Sequence, residues 1–179
     1  MGQSGGKCFV VGEFITNFVA NYRMMRFLGN IESKMDAKGR VFLPASFRKI
    51  LQTAGEEVLV LRKDFHQPCL VVYPLSAWNR RTDALLSEVN EFDDESQMVF
   101  RMYMADAEEM TLDGSGRLLI PRRYLQMAGI EQTVRFIGMN DTIEIWAAEK
   151  AEKPFLSQED FAAKLKAMMG KKKEVMSEK

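Results

Sequence analysis

The chain has one histidine, His66, and two cysteines, Cys8 and Cys69, among 179 residues. A lone imidazole cannot supply the placed partners of a histidine metal centre or a Ser-His-Asp relay. His66 therefore reads as a loop residue beside Pro68. Two thiols far apart in sequence make neither a spaced metal pair nor a disulfide framework, which fits a reducing cytoplasm. No run approaches the roughly 20 uninterrupted apolar residues that span a bilayer, so no membrane partner is expected. Residues 9–20 are apolar after Lys7, as a signal peptide's core would be, but Glu13 and Asn17 interrupt them and no small-residue cleavage site follows. Excess charge is lacking too: 25 Lys and Arg balance 25 Asp and Glu. Any case for a polyanionic partner must rest on local placement of charge. There is no glycine-rich phosphate loop and no nucleophile beside a base. An enzyme, a cofactor, a metal and a small-molecule substrate are all unexpected.

What the chain does contain is a repeat. The segment DAKGRVFLP at 36–44 returns as DGSGRLLIP at 113–121. Asp36, Gly39, Arg40 and Pro44 become Asp113, Gly116, Arg117 and Pro121. A short helical stretch follows each proline, ending at Ala54-Gly55 in one copy and Ala128-Gly129 in the other. Two strand-like runs come next, 58–61 and 70–73, then 134–137 and 142–146, parted by turns at 63–68 and 138–141. Asp36 and Asp113 can accept backbone hydrogen bonds within a tight turn, and Gly39 and Gly116 supply the positive φ that closes it. Pro44 and Pro121 end a strand and suit a helix's first turn. The triplets Val41-Phe42-Leu43 and Leu118-Leu119-Ile120 lack alternation, so both faces of these strands are expected to be covered. A module this small cannot cover both faces alone. Two copies, each completing the other's sheet, can.

Between the copies, Ser76 is the expected N-cap of a helix to about Asn90, with Trp78, Leu85, Leu86, Val89 and then Phe92 on one stripe. A second helix is expected over 94–105, turning Met98, Val99, Met102 and Tyr103 inward. A third should start at Ser157, with Asp160 completing a capping box, and run through Phe161, Leu165 and Met168 to Gly170. Lys171, Lys172 and Lys173 then read as a solvated tail. The thirteen methionines read first as core filler, and second as a partner groove of Met98, Met102 and Met168.

Two D-x-x-G-R segments, each followed by an apolar triplet and proline and joined by a helical hairpin, resemble the MraZ family of bacterial regulators over residues 26–148. Arg26-Phe27-Leu28-Gly29 is similar to that family's start. The resemblance implies an α+β, β-rich fold of tandem swapped-hairpin modules of SpoVT-AbrB type, forming a double-split β-barrel. It divides the chain into an extension (1–25), a first module (26–76), a hairpin connector (77–105), a second module (106–149) and a C-terminal helix with basic tail (150–179). It also implies a ring-like homo-oligomer in the cytoplasm, on the nucleoid. That oligomer would bind short direct repeats of double-stranded DNA upstream of the division and cell wall gene cluster.

Locally the charge supports this. Residues 34–49 hold Lys34, Lys38, Arg40, Arg48 and Lys49 against Asp36 alone, and Arg117, Arg122 and Arg123 play the same part in the second copy. Arginine at a stiff hairpin can fork onto guanine O6 and N7 or onto phosphate. The competing reading is that Arg40 and Arg117 pair with Asp36 and Asp113 and lock the turns; both roles are compatible. Ser115 replaces Lys38 in the second loop, which is less basic. Another class of function is an oligomeric scaffold or antitoxin-type partner-binding protein, which would bind DNA regardless of Arg40 and Arg117.

Overall fold

A computed structural model describes residues 25–151 and 156–177. Cys8 and residues 1–24 of the expected extension lie outside them. The elements run β1 (Asn30–Lys34), β2 (Arg40–Phe42), α1 (Ala45–Ala54), β3 (Val58–Lys63), β4 (Leu70–Pro74), α2 (Leu75–Glu88), α3 (Asp94–Ala105), β5 (Ala107–Thr111), β6 (Arg117–Leu119), α4 (Arg122–Ala128), β7 (Thr133–Met139), β8 (Thr142–Ala147), α5 (Ala148–Ala151) and α6 (Gln158–Ser177). The fold is α+β with antiparallel strands throughout the described pairings.

The two repeats exchange strands. The large sheet has the order β1-β7-β8-β4-β3-β5, and β2 pairs with β6 in a separate two-stranded sheet. The first repeat's β1 thus lies on the second repeat's β7, from Asn30↔Ile137 to Lys34↔Thr133. Likewise β5 of the second repeat lies on β3 of the first. Reversing the two repeats reproduces the same strand order, so the sheet carries an internal two-fold. Its end strands each have one neighbour, and the described strands close no barrel. One core results, drawing Phe27, Leu43, Phe47 and Leu61 from the first repeat and Leu118, Tyr124, Phe136 and Ile145 from the second. Neither repeat encloses it alone, which is the physical reason for the duplication.

Several expectations need correction. The triplets are not covered on both faces: Val41, Leu43, Leu118 and Ile120 are buried, while Phe42 and Leu119 are 52% and 56% exposed. A two-stranded sheet packed by one face leaves the alternate side chains outside. Helix α2 begins two residues early with Pro74 at its N-cap, and the Ser76 N–H donates to Glu56. Pro44 and Pro121 are also N-caps rather than first-turn residues. In the connector Trp78 is buried, but Leu86, Phe92, Met98, Val99 and Met102 are exposed. An aromatic stack explains which residues turn inward. Buried Arg62 places its guanidinium 3.8 Å from the Phe65 ring centre and 4.3 Å from that of Tyr103. Tyr103 stacks on Trp78 at 5.2 Å, and Trp78 meets Tyr73 edge-on. Those contacts consume one face of a two-helix connector, and among the described residues nothing covers the opposite stripe.

Helix α2 is also tethered to the β7–β8 turn. Arg81 donates to both carboxylate oxygens of Asp141, at 2.7 and 2.9 Å, and Arg80 adds a bond at 3.2 Å. The Arg81 hydrogen bonds hold the Asp141 carboxyl below its ordinary range, against the opposing effect of burial. A depressed folded-state pKa gives stability that is present above the unfolded value and lost as pH falls through the folded one. Asp141→Asn is therefore expected to cost about 1 kcal/mol at pH 7, limited by the half-open setting of both arginines. Denaturant titrations at successively lower pH should show that difference shrinking once the pH is below the usual carboxylate range.

Residues from Glu149 onward form a separate compact unit. There Ser157 caps α6 as expected, its hydroxyl accepting from the Asp160 N–H at 3.0 Å and bonding its carboxylate at 2.8 Å. The helix does not stop at Gly170 but continues through the lysines to Ser177. Lysine and glutamate are good helix formers, and one glycine costs only about 1 kcal/mol.

Candidate nucleic-acid interface

Both D-x-x-G-R turns have one geometry, built from the aspartate outward. Asp36 Oδ1 accepts from the N–H groups of Lys38 (2.9 Å) and Arg40 (3.0 Å), and Oδ2 accepts from Arg40 Nε at 2.7 Å. Asp113 repeats this with Ser115 (2.9 Å), Arg117 N–H (3.0 Å) and Arg117 Nε (2.7 Å). The backbone N–H of the arginine is the largest influence holding each carboxyl below its ordinary range, so both stay anionic. Gly39 and Gly116 close the turns at φ +83° and +81°, where a side chain would be strained. Each glycine carbonyl then accepts from the other repeat: Leu43 N–H to Gly116 at 3.2 Å, Ile120 N–H to Gly39 at 3.0 Å. The two turns are thereby fixed to one another, not merely to their own strands.

Through β2 and β6 the two arginines come together. The register sets Arg40 opposite Leu119, Val41 opposite Leu118 and Phe42 opposite Arg117. Directly opposed residues share a face. Arg40, Phe42, Arg117 and Leu119 therefore line the outer face, and Val41 and Leu118 the buried one. The Arg117 guanidinium carbon lies 5.7 Å from the Phe42 ring centre. Arg40 and Arg117 are partly open, with 33% and 26% of their side-chain surface accessible. Each aspartate holds its arginine by the Nε side, so Nη1 remains for a ligand. Turn locking and presentation are thus combined in the same pair.

The other expected basic residues divide. Lys34, Lys38 and Arg122 are exposed. Arg123 is exposed but tied to Glu108 at 2.6 Å and to the Tyr124 hydroxyl at 3.0 Å. Lys49 lines a cleft of about 520 Å³ with Met25, Arg26 and Ile50. Arg48 packs its guanidinium against Gly116, where a Cβ would collide with it, and its buried Nε has no hydrogen-bond partner. Leu125 stands in the equivalent place over Gly39. Arg48 is therefore part of the support beneath the second turn. Phe42 and Leu119 were missed by the sequence reading; the signal was the strand's own alternation, which puts the middle of each triplet opposite its neighbours.

The chain matches the model of the MraZ protein family, described as antitoxin-like, over residues 26–102 and again over 103–172. It belongs to the MraZ family. A protein of Phocaeicola vulgatus named Transcriptional regulator MraZ is 57% identical over 146 residues, covering 82% of this chain and 95% of that relative. Proteins of the same name from Bacteroides thetaiotaomicron and Hydrogenovibrio crunogenus are 53% and 34% identical, over 82% and 70% of this chain. This MraZ family member is accordingly placed among transcription regulators. His66 and the buried Cys69, whose thiol burial pushes up to about 12, lie at the β3–β4 turn, apart from the two D-x-x-G-R turns.

Proposed function

We propose that the chain is a sequence-specific DNA-binding transcriptional regulator that grips short direct repeats in its own upstream region, ahead of the division and cell wall gene cluster, through its paired D-x-x-G-R turns. The observation that carries this reading is the convergence of Arg40 and Arg117 on one outer face of a two-stranded sheet. A two-stranded β-ribbon fits the major groove, where arginine forks onto guanine. Exposed Lys34, Lys38 and Arg122 add phosphate contacts. In this reading 26–76 and 106–149 are the two modules of a split barrel, 77–105 is the connector and 150–179 the tail. The protein acts in the cytoplasm on the nucleoid.

A single subunit neutralises few phosphates, and affinity at physiological salt would be modest. A ring of copies raises effective concentration over repeated sites without new contacts. The uncovered stripe of the connector supports such a ring: Phe92 is 90% and Met102 70% exposed, beside Leu86, Met98 and Val99. Methionine-rich apolar surface of this kind suits a second copy's surface. Light scattering is expected to find a multimer for the native chain and a monomer for Met98→Glu with Met102→Glu. A native monomer would refute the ring.

The same exposed helices, with the antitoxin-like description of the family, favour a second reading as a partner-binding scaffold. Fluorescence anisotropy with the chain's own upstream duplex separates the two. DNA recognition requires binding that Arg40→Ala weakens by about tenfold or more; a scaffold binds equally well with and without that side chain.

A further inference from the structure

Phe42 and Leu119 are more than half exposed on the face that carries Arg40 and Arg117. Nothing in the core requires large apolar side chains there, because Val41 and Leu118 already seal the sheet's inner face. Their exposed apolar surface carries a cost in water, which the Arg117 guanidinium near the Phe42 ring offsets only in part.

We propose that Phe42 and Leu119 read thymine methyl groups beside the guanines taken by the arginines, so that the outer face of β2 and β6 recognises guanine next to thymine. The inference rests on the DNA-binding reading and adds the base contacted by the apolar half of the face. Its geometry follows from the register. Phe42 and Arg117 are direct cross-strand neighbours, 5.7 Å from ring centre to guanidinium carbon. Successive bases on one strand are about 3.4 Å apart along the axis, so side chains this close span adjacent base pairs and not distant ones. Arg40 and Leu119 form the second such pair by the internal two-fold. In the major groove the thymine C5-methyl is the apolar mark that separates thymine from cytosine, and it takes contact with an aromatic or aliphatic side chain. DNA is the chosen occupant because both apolar groups are flanked by guanidinium groups whose carboxylate partners leave Nη1 open.

The test uses two upstream duplexes of identical pairing, one natural and one with deoxyuridine in place of every thymine, which deletes only the methyl groups. Anisotropy titrations compare the native chain, the double variant Phe42→Ala/Leu119→Ala, and Arg40→Ala. The native chain is expected to favour the natural duplex by roughly fourfold per contacted methyl. The double variant should lose that preference to within about twofold; any effect of deoxyuridine on duplex shape would persist in it. Equal binding of both duplexes by the native chain, or an unchanged preference in the double variant, overturns the inference, as does a double variant that only loses its oligomeric state. Should the double variant fold poorly, the single variants Phe42→Ala and Leu119→Ala take its place, each expected to lose part of the preference. Failure of the native chain to bind either duplex, or undiminished binding by Arg40→Ala, instead refutes the DNA reading itself.

Discussion

Arg40→Ala is expected to weaken binding of the upstream duplex by about 10- to 100-fold, the range of one bidentate guanine contact. The fold should survive the change. Asp36 keeps its bonds from the Lys38 and Arg40 backbone N–H groups, Gly39 keeps its link to Ile120, and a surface ion pair contributes at most about 1 kcal/mol. Unaltered melting with a large loss of affinity is thus the expected pattern. Arg40→Lys should rescue little, because an ammonium is a point charge that cannot span O6 and N7 together. Arg117→Ala should fall in the same range, since its turn has the same bonds, although Ser115 in place of Lys38 removes one phosphate contact from that side. In a ring every subunit carries the lesion, so the loss measured on a DNA with several repeats should exceed that on a single repeat. Binding within twofold of native for both variants would remove the arginines from the interface.

How far the sequence disclosed these features depends on which interactions are local. The D-x-x-G-R turns were legible because an aspartate bonding its own neighbours and a glycine at positive φ act within five residues. Strands β3, β4, β7 and β8 were legible from apolar runs closed by turn residues, although β3 and β7 run two residues further, into the expected turns. Residues whose partners lie far along the chain were not. Nothing near Arg48 in sequence announces that it supports Gly116, and nothing near Arg62 announces its seat between Phe65 and Tyr103. The connector misled for a related reason. A stripe of Met98, Val99 and Met102 has the pattern of a buried face, and periodicity does not say whether the covering surface belongs to the same chain. The tail misled through composition, where three lysines read as solvated coil yet extend α6.

The strand exchange depends on a close main-chain approach at Gly138. Gly138 on β7 donates its N–H to the Gly29 carbonyl at 2.9 Å, and a Cβ at this position would fall on the backbone of Phe27 and Leu28. That backbone cannot step aside cheaply. Phe27 N–H donates to the Asn140 carbonyl at 2.6 Å, Asn140 N–H returns to Phe27 at 3.2 Å, and the wholly buried Phe27 ring sits 5.4 Å from Phe47. Gly138→Ala is therefore expected to destabilise the chain by about 3 kcal/mol, at the upper end of overpacking costs because the obstruction is main chain. Gly114→Ala provides the contrast, with open space around its Cβ and an expected change within about 0.5 kcal/mol. Chemical denaturation of the two variants beside the native chain measures both. The consequence extends to the interface: β1 is held by β7 and leads directly into the Asp36 turn, so a lesion on the second repeat should disorder the guanidinium presented by the first. Loss of stability in Gly138→Ala with DNA binding intact would show that the turns hold their arginines without the exchanged strand.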